Sequence, residues 1–342
     1  MNSFAAKVIA WQKRCGRRQL PWQNTRDPYA IWVSEIMLQQ TRVTTVIPYY
    51  LRFMQRFPDV ATLACAQLDE ILTHWSGLGY YSRARNLHRA AQIVRTDGDE
   101  FPRDFERILQ LPGIGRSTAA AICVFAFGAR RAILDGNVKR VLTRYCGIGG
   151  YPGERGIEDR LWRKAQSLLP QKGIEAYTQG LMDLGAGVCV RHQPDCLSCP
   201  LRLKCIAHRR GLTDRLPASR PRKKLPRKKT VMLVLQHAGE VLLEKRPATG
   251  IWGGLWCFPE SARGEDIAQI CARRFGASVV ASAPLPVIEH GFTHFRLSIK
   301  PWRMHVTALT PGIAEPGHIW LAREEAMAAA IPSPVKRILA NL

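Results

Sequence analysis

Three groups of residues in this chain could do chemistry. Four cysteines, Cys189, Cys196, Cys199 and Cys205, are separated by six, two and five residues in CVRHQPDCLSCPLRLKC. Four thiolates this close in sequence can close round one site, and structural zinc and an iron–sulfur cluster are both admissible. Zinc knots usually come as two C-x2-C pairs; here only Cys196 and Cys199 form such a pair, which tilts the reading toward a cluster. Four unrelated buried thiols would need apolar surroundings, whereas Arg191, His192, Gln193, Asp195, Arg202 and Lys204 lie between them. Folding so charged a segment round a metal would fix its cations in place, an arrangement suited to phosphate.

The second group is a pair of carboxylates. Glu35 sits in IWVSEIMLQQT among Ile31, Trp32, Val33, Ile36, Met37 and Leu38. Desolvation there raises a carboxyl pKa and leaves it able to give a proton near neutrality. The plain alternative is a glutamate on the one solvated stripe of that helix. Asp135, in AILDGNVKRVLTR, can cap the helix that follows or face a reacting centre.

The third group is LPGIGRSTAAAICVFAFG, which puts Pro112-Gly113-Ile114-Gly115 directly before an Ala-rich apolar helix. Glycines admit a close backbone approach to an anion, and the first N–H groups of the helix point at it. With a helix before it, this is a helix-hairpin-helix, a sequence-independent clamp on a DNA backbone; otherwise it is a tight turn with Ile114 as a core plug. An acid in an apolar pocket, a phosphate clamp, and an aspartate 20 residues beyond Gly115 suggest glycosidic chemistry. One carboxyl protonates a leaving group and the other stabilises the cation left behind, the substrate being a base on a nucleic acid.

The elements that must position these groups can be read from pattern. From residue 4 to about 210 apolar residues recur at helical spacing, as in Val138, Val141, Leu142 and Tyr145, so residues 1–213 are expected to be mainly helical, with the cysteine loop at 189–205. Seven of the ten residues from Arg220 to Lys229 are Lys or Arg and two are Pro, a composition that builds no core, so 214–229 is expected to be a basic linker. In 230–342, TVMLVLQ and EVLLEKR read as strands joined by His237, Ala238 and Gly239, followed by the helical EDIAQICARRF: a small mixed α/β domain.

Composition points the same way. Lys plus Arg number 50 against 27 Asp plus Glu over 342 residues, a net +23 that calls for a polyanionic partner. No apolar run reaches the ~18 residues of a membrane span, and the opening MNSFAAKVIAWQKRCGRRQL lacks a signal-peptide core. Six of the ten cysteines are scattered singles, which argues for a reducing compartment; the expectation is cytoplasm, associated with the nucleoid.

Over nearly its whole length the chain resembles the helix-hairpin-helix DNA glycosylases related to endonuclease III, and within them the adenine-removing branch. The segments that carry the resemblance are LPWQNTRDPYAIWVSEIMLQQT, GLGYYSRARN, LPGIGRSTA, ILDGNVKR, the cysteine knot and TGIWGGLWCFPE. It implies a mainly α helix-hairpin-helix fold whose cysteine loop holds one four-iron four-sulfur (4Fe-4S) cluster, with zinc as runner-up, and a C-terminal α/β domain related to Nudix hydrolases. It also implies excision of adenine opposite 8-oxoguanine or guanine in double-stranded DNA by a monomer. Repair or replication proteins are its further partners.

Residue by residue, the resemblance implies that Glu35 protonates adenine N7, that Asp135 shelters the sugar cation or traps it covalently, and that Asn137 positions Asp135. Gln39, Gln40 and Tyr80 match positions that push into the base stack, Gly113, Gly115 and Ser117 belong to the hairpin on DNA, and Asp183 matches a carboxylate near the flipped base. Ser117 stands where strand-cutting relatives carry a lysine, so a Schiff base is not available to it; Lys139 lies outside that helix. In the last third, Phe292, Thr293 and His294 match a Phe-Ser-His loop beside 8-oxoguanine, with a threonine where the family has serine. DIAQICARRFG lacks the paired glutamates that hold Mg²⁺ in a working Nudix site. Without the resemblance, that trio reads as part of a strand in HGFTHFRL. Two other functions fit parts of the pattern: a glycosylase/lyase on damaged pyrimidines, and a non-catalytic DNA-binding metalloprotein.

Overall fold

The computed structural model describes residues 3–221, 225–261, 265–309 and 317–342. Its contacts divide the chain into two compact units, one of residues 1–65 and 86–222, the other of residues 66–85 and 223–342.

The first unit is helical. It holds α1 (Ser3–Cys15), α2 (Pro28–Leu38), α3 (Val43–Arg56) and α4 (Val60–Cys65); α5 (Leu68–Trp75) belongs to the second unit, and the division at residue 86 falls inside α6 (Ser82–Thr96). Then come α7 (Phe105–Gln110), α8 (Arg116–Phe127), α9 (Gly136–Cys146), α10 (Arg155–Ser167), α11 (Ile174–Asp183) and the short α12 (Ile206–Arg209). α2 starts where Asp27 accepts from the Tyr29 and Ala30 N–H groups and Pro28 occupies the first turn. A cap of this kind contributes about 1 kcal/mol, and proline at that position loses no helical hydrogen bond. Ile31, Trp32, Val33, Ile36 and Met37 are each at most 3% exposed, so α2 runs through the core and packs on α3 and α8. α7 and α8 flank the Leu111–Gly115 turn and form the expected helix-hairpin-helix. Gly113 needs its glycine twice: its φ is +81°, and a Cβ there would lie 2.9 Å from the Asn86 Cβ.

The second unit is built on an eight-stranded sheet. Its strands are β1 (Arg227–His237), β2 (Glu240–Lys245), β3 (Trp256–Cys257), β4 (Glu260–Ser261), β5 (Ala277–Pro284), β6 (Ile288–Gly291), β7 (Arg296–Leu309) and β8 (His318–Ala322). The order is β3-β2-β1-β7-β5, with β4 on β1, β6 on β7 and β8 on β2; β1 and β7 run parallel from Arg227↔Arg296 to Gln236↔His305. One face packs Leu233, Leu235, Leu242, Met304 and Val306 against Ile270, Cys271 and Phe275 of α13 (Ile267–Phe275). By the two-residue period, Met232, Val234 and Leu243 turn to the opposite face and are fully buried too. The unit ends with α14 (Arg323–Ala328) and α15 (Ser333–Leu339).

Two details differ from the sequence reading. β1 begins at Arg227, three residues inside the stretch read as linker; Arg227, Lys228 and Lys229 are exposed, so backbone pairing with β7 is all that strand needs there. Phe292, Thr293 and His294 form the turn between β6 and β7, a loop rather than the strand that local alternation alone suggests.

Candidate active site

Glu35 lines a cavity of about 530 Å³ in the helical unit, together with Arg17, Trp22, Arg26, Ser34, Glu175 and Gln179. Burial first, and the Asp135 carboxylate second, push its pKa up to about 8. A carboxyl in that state is a proton donor at neutral pH. The apolar neighbours on α2 set the desolvation, as its sequence suggests, but the polar wall comes from the 12–26 segment and α11.

Asp135 is not among the residues that line that cavity; it stands at the start of α9, where its Oδ1 accepts from the Val138 N–H at 2.8 Å. It is thus both the helix cap and the group whose charge reaches Glu35. Asn137 Nδ2 donates to its Oδ2 at 3.3 Å. Burial raises the Asp135 pKa, opposed by the hydrogen bonds from Val138 and Asn137 and by the nearby Arg140. The hairpin is tied to the same place. The Leu134 N–H donates to Ser117 Oγ at 3.0 Å, fixing α8 to the residue before Asp135, and Gln39 Nε2 reaches the Gly113 carbonyl and Thr118 Oγ1. Gln40 is exposed with φ +58° at the end of α2. Gly115 caps α8, whose first N–H groups have no side-chain cap. Lys139 is engaged by Glu158 at 2.7 Å.

Asp183 is occupied elsewhere. It is 4% exposed and accepts from the Arg17 N–H and guanidinium and from Gln179 Nε2, so it forms a buried ion pair rather than part of the cavity wall. The second carboxylate on that wall, beside Glu35, is Glu175, held by Arg26 at 3.0 Å. Sequence reasoning missed Glu175, Arg26 and Gln179; a lone Glu in IEAYTQ carries no local sign of facing a cavity.

Two arginines of α9, also missed, bind the cysteine loop. Arg144, 2% exposed, donates to the carbonyls of Leu216, Val190 and Arg191 and reaches Cys189 Sγ at 3.4 Å. Arg140 donates to the Cys189 and Gly185 carbonyls and to Asn137 Oδ1 at 2.8 Å, so one guanidinium joins the loop to the partner of Asp135. Gly185 lies in a π-helical turn, Leu184–Val188, pressed on α9: a Cβ there would overlap the Asn137 Cβ. Their spacing at i and i+4 on one face of α9 is the only signal the sequence held.

The four thiols are half-buried. Cys196, Cys199 and Cys205 have raised pKa values, burial being the larger cause and the charge of neighbouring thiolates another, which brings Cys189 into the group as well. Among the described residues no three His, Cys, Asp or Glu side chains converge to hold a single metal ion. A four-iron cube asks less convergence, since each thiolate binds its own iron at a separate corner.

In the second unit, Tyr80 and Phe292, Thr293 and His294 line one cavity of about 940 Å³ with Trp252, His290 and Arg85. Tyr80 is 44% exposed with φ +50°, in a turn held by Arg83, whose guanidinium donates to the Gly79 carbonyl and lies 5.5 Å from the Tyr80 ring. Phe292 stacks on buried Phe295 with centroids 4.4 Å apart and touches Trp252 and His290 edgewise or tilted. α13 has no acidic residue; Asp266 caps it.

Comparison with known proteins agrees with this geometry. Residues 33–167 match the HhH-GPD superfamily of base excision DNA repair proteins, and residues 230–341 match the NUDIX domain. An adenine DNA glycosylase of Buchnera aphidicola is 38% identical over 99% of this chain and 97% of its own length. The human adenine DNA glycosylase is 34% identical over 99% of this chain and 73% of that protein. Among solved structures, a thermostable thymine-DNA glycosylase matches with a TM-score of 0.56 and 32% identity, covering 60% of this chain and 95% of that one. Endonuclease III in a non-covalent DNA complex shares the fold at a TM-score of 0.53 and 20% identity, over 61% of this chain and 95% of that one. Both the pyrimidine-damage and the non-catalytic readings give way to the full-length relatives. The chain belongs to the adenine DNA glycosylases, the MutY branch of the helix-hairpin-helix enzymes, and removes adenine from DNA in base excision repair.

Proposed function

We propose that the adenine removed is the one paired with 8-oxoguanine or guanine, and that it leaves by hydrolysis of the N-glycosidic bond without strand cleavage. The observation that carries the chemistry is Glu35 on a cavity wall with its pKa pushed up to about 8. Protonated there, Glu35 gives its proton to N7 of an adenine flipped into the cavity and turns an anionic leaving group into a neutral base. Arg26, Glu175 and Gln179 offer hydrogen bonds to its edge. Flipping costs a few kcal/mol of stacking and pairing, offset as Gln39, Gln40 and Tyr80 fill the space left in the duplex. Asp135 acts as a carboxylate on the sugar, stabilising the oxocarbenium ion or forming a transient bond before water attacks, while Asn137 and the Val138 N–H hold its orientation. Gly113 and Gly115 present backbone N–H groups to phosphate. Ser117, bonded to Leu134, has no amine to form an imine, so the abasic strand stays intact.

We assign Cys189, Cys196, Cys199 and Cys205 to one 4Fe-4S cluster, with zinc as runner-up, because only Cys196 and Cys199 form a C-x2-C pair. The group would supply a cross-link that fixes the charged loop, whose carbonyls Arg140 and Arg144 already hold. Phe292, Thr293 and His294, sharing a cavity with Tyr80, are the residues we assign to the oxidised base. The Thr293 hydroxyl lies 3.4 Å from His294 Nδ1, within hydrogen-bonding reach of that ring. The protein works as a monomer in the cytoplasm on this reading, with repair or replication proteins as further partners.

The test is excision under single turnover on duplexes with A opposite 8-oxoguanine, G or T, developed with alkali, with a borohydride-trapping arm and an iron assay. The reading expects the first duplex to be preferred, no trapped complex, and about four irons per chain. Equal rates on A opposite T, strong trapping, or one zinc per chain would each overturn the corresponding part.

A further inference from the structure

The basic stretch RPRKKLPRKKT has no part in the reading above, yet its last residues are built into the sheet. Arg227, Lys228 and Lys229 open β1 and pair in parallel with Arg296, Leu297 and Ser298 of β7, and the Arg296 N–H donates to the Pro226 carbonyl at 2.9 Å. All three are exposed, as is Arg296. The Lys228 ammonium lies 5.1 Å from the centroid of the Phe295 ring, the ring that supports Phe292. Leu225 and Arg296 themselves line the cavity that holds Phe292, Thr293 and His294. Among the described residues no ion pair engages Arg227, Lys228, Lys229 or Arg296.

We propose that Arg227, Lys229 and Arg296, which the two-residue period puts on one face, form a phosphate-binding edge that grips the backbone of the DNA strand whose base enters that cavity, while Lys228 on the other face lies over Phe295. Strand pairing already fixes their main chain, so binding a phosphate orders only the side chains and costs less entropy than it would in a free linker. On one side of a strand, side chains two residues apart repeat about every 7 Å, a step comparable to that between phosphates of an extended strand. Three cations without an ion-pair partner among the described residues, on one face beside a cavity of about 940 Å³, are complementary in charge to one occupant, a nucleic-acid backbone. The choice of strand rests on the assignment of Phe292–His294 to the oxidised base; the grip on a duplex does not.

The experiment measures binding of the full-length, cluster-loaded protein to fluorescent duplexes over a range of salt, in a Glu35→Gln background. Three duplexes are compared: A opposite 8-oxoguanine, A opposite G, and undamaged DNA. Each phosphate neutralised contributes about 0.9 to the slope of log K against log salt, so replacing Arg227, Lys229 and Arg296 by Gln should reduce the slope by about 3 on all three duplexes. Arg273→Gln, an exposed residue of α13, should leave the slope as it was. Should the triple variant unfold early on melting, Arg227→Gln with Lys229→Gln is expected to remove about 2 from the slope. An unchanged slope, or an equal fall with Arg273→Gln, would overturn the proposal. Phe292→Ala separates the two readings: it should abolish the preference for 8-oxoguanine with the slope intact. Retention of that preference would sink the base assignment alone.

Discussion

Raising the pH is the most selective perturbation of the proposed acid. Burial and the nearby Asp135 carboxylate move Glu35 from its ordinary 4.5 to about 8. At pH 7 a carboxyl titrating at 4.5 is protonated about 0.3% of the time and one titrating at 8 about 90%, so the environment raises the competent fraction about 300-fold. Because the protonated form of Glu35 is the active one, the rate is expected to bend near pH ~8 and then fall about tenfold per pH unit, with a separate fall on the acid side as the Asp135 carboxylate takes up a proton. Stability carries the same sign. The folded state keeps a proton that the unfolded chain releases above 4.5, so this site's contribution is fully present below 4.5 and is lost as pH rises toward about 8. The assay is single-turnover excision at each pH, with DNA affinity measured in parallel so that weaker binding is not mistaken for slower chemistry. Glu35→Gln should be slower by about 10²–10⁴-fold and show no alkaline bend. A level rate through pH ~9.5, or the same alkaline bend in Glu35→Gln, would refute the reasoning.

Three further outcomes follow from the surroundings. Gly113→Ala meets both a φ of +81° and the Asn86 Cβ at 2.9 Å, so it should cost at least ~1 kcal/mol of stability and weaken duplex binding; unchanged melting and affinity would contradict the hairpin's role. Ser117→Ala leaves the Leu134 N–H without its acceptor and should lower stability by about 1 kcal/mol, read as a melting shift of ~2–4 °C. Arg140→Met keeps the length but removes the donors to Cys189, Gly185 and Asn137. Excision should slow about 10-fold or more with DNA binding retained, and rescue by Arg140→Lys should be partial; an unaltered rate at full iron content would remove Arg140 from the positioning of Asp135.

Local pattern reveals what local forces decide. The helical period of α9 and the P-G-I-G turn were readable because backbone conformation and burial of one face follow from near neighbours. Strands β1 and β2 and helix α13 emerge from alternation and capping in the same way. Glu35 could be recognised as desolvated because its neighbours on α2 are themselves apolar. The cavity's polar wall was hidden, since Arg26 and Glu175 are brought together over 149 positions. Asp183 illustrates the opposite limit: its nearest chain neighbours say nothing of Arg17, 166 residues away, which claims it. The turn position of Phe292–His294 was obscured because HGFTHF has the alternation of a strand, and only the antiparallel register of Ile288↔Ile299 through Gly291↔Arg296 turns it into a loop. The grouping of residues 66–85 with the C-terminal third depends wholly on tertiary contacts, such as the Arg85 guanidinium on the Gly253 carbonyl.

The account stands on two carboxyls acting together, and the most direct measurement is adenine release in a single turnover from a duplex with A opposite 8-oxoguanine, by Glu35→Gln and Asp135→Asn. Each variant should bind the duplex as tightly as the unaltered protein and release adenine at least ~10²-fold more slowly. Release at the original rate by either variant, with affinity retained, would contradict it.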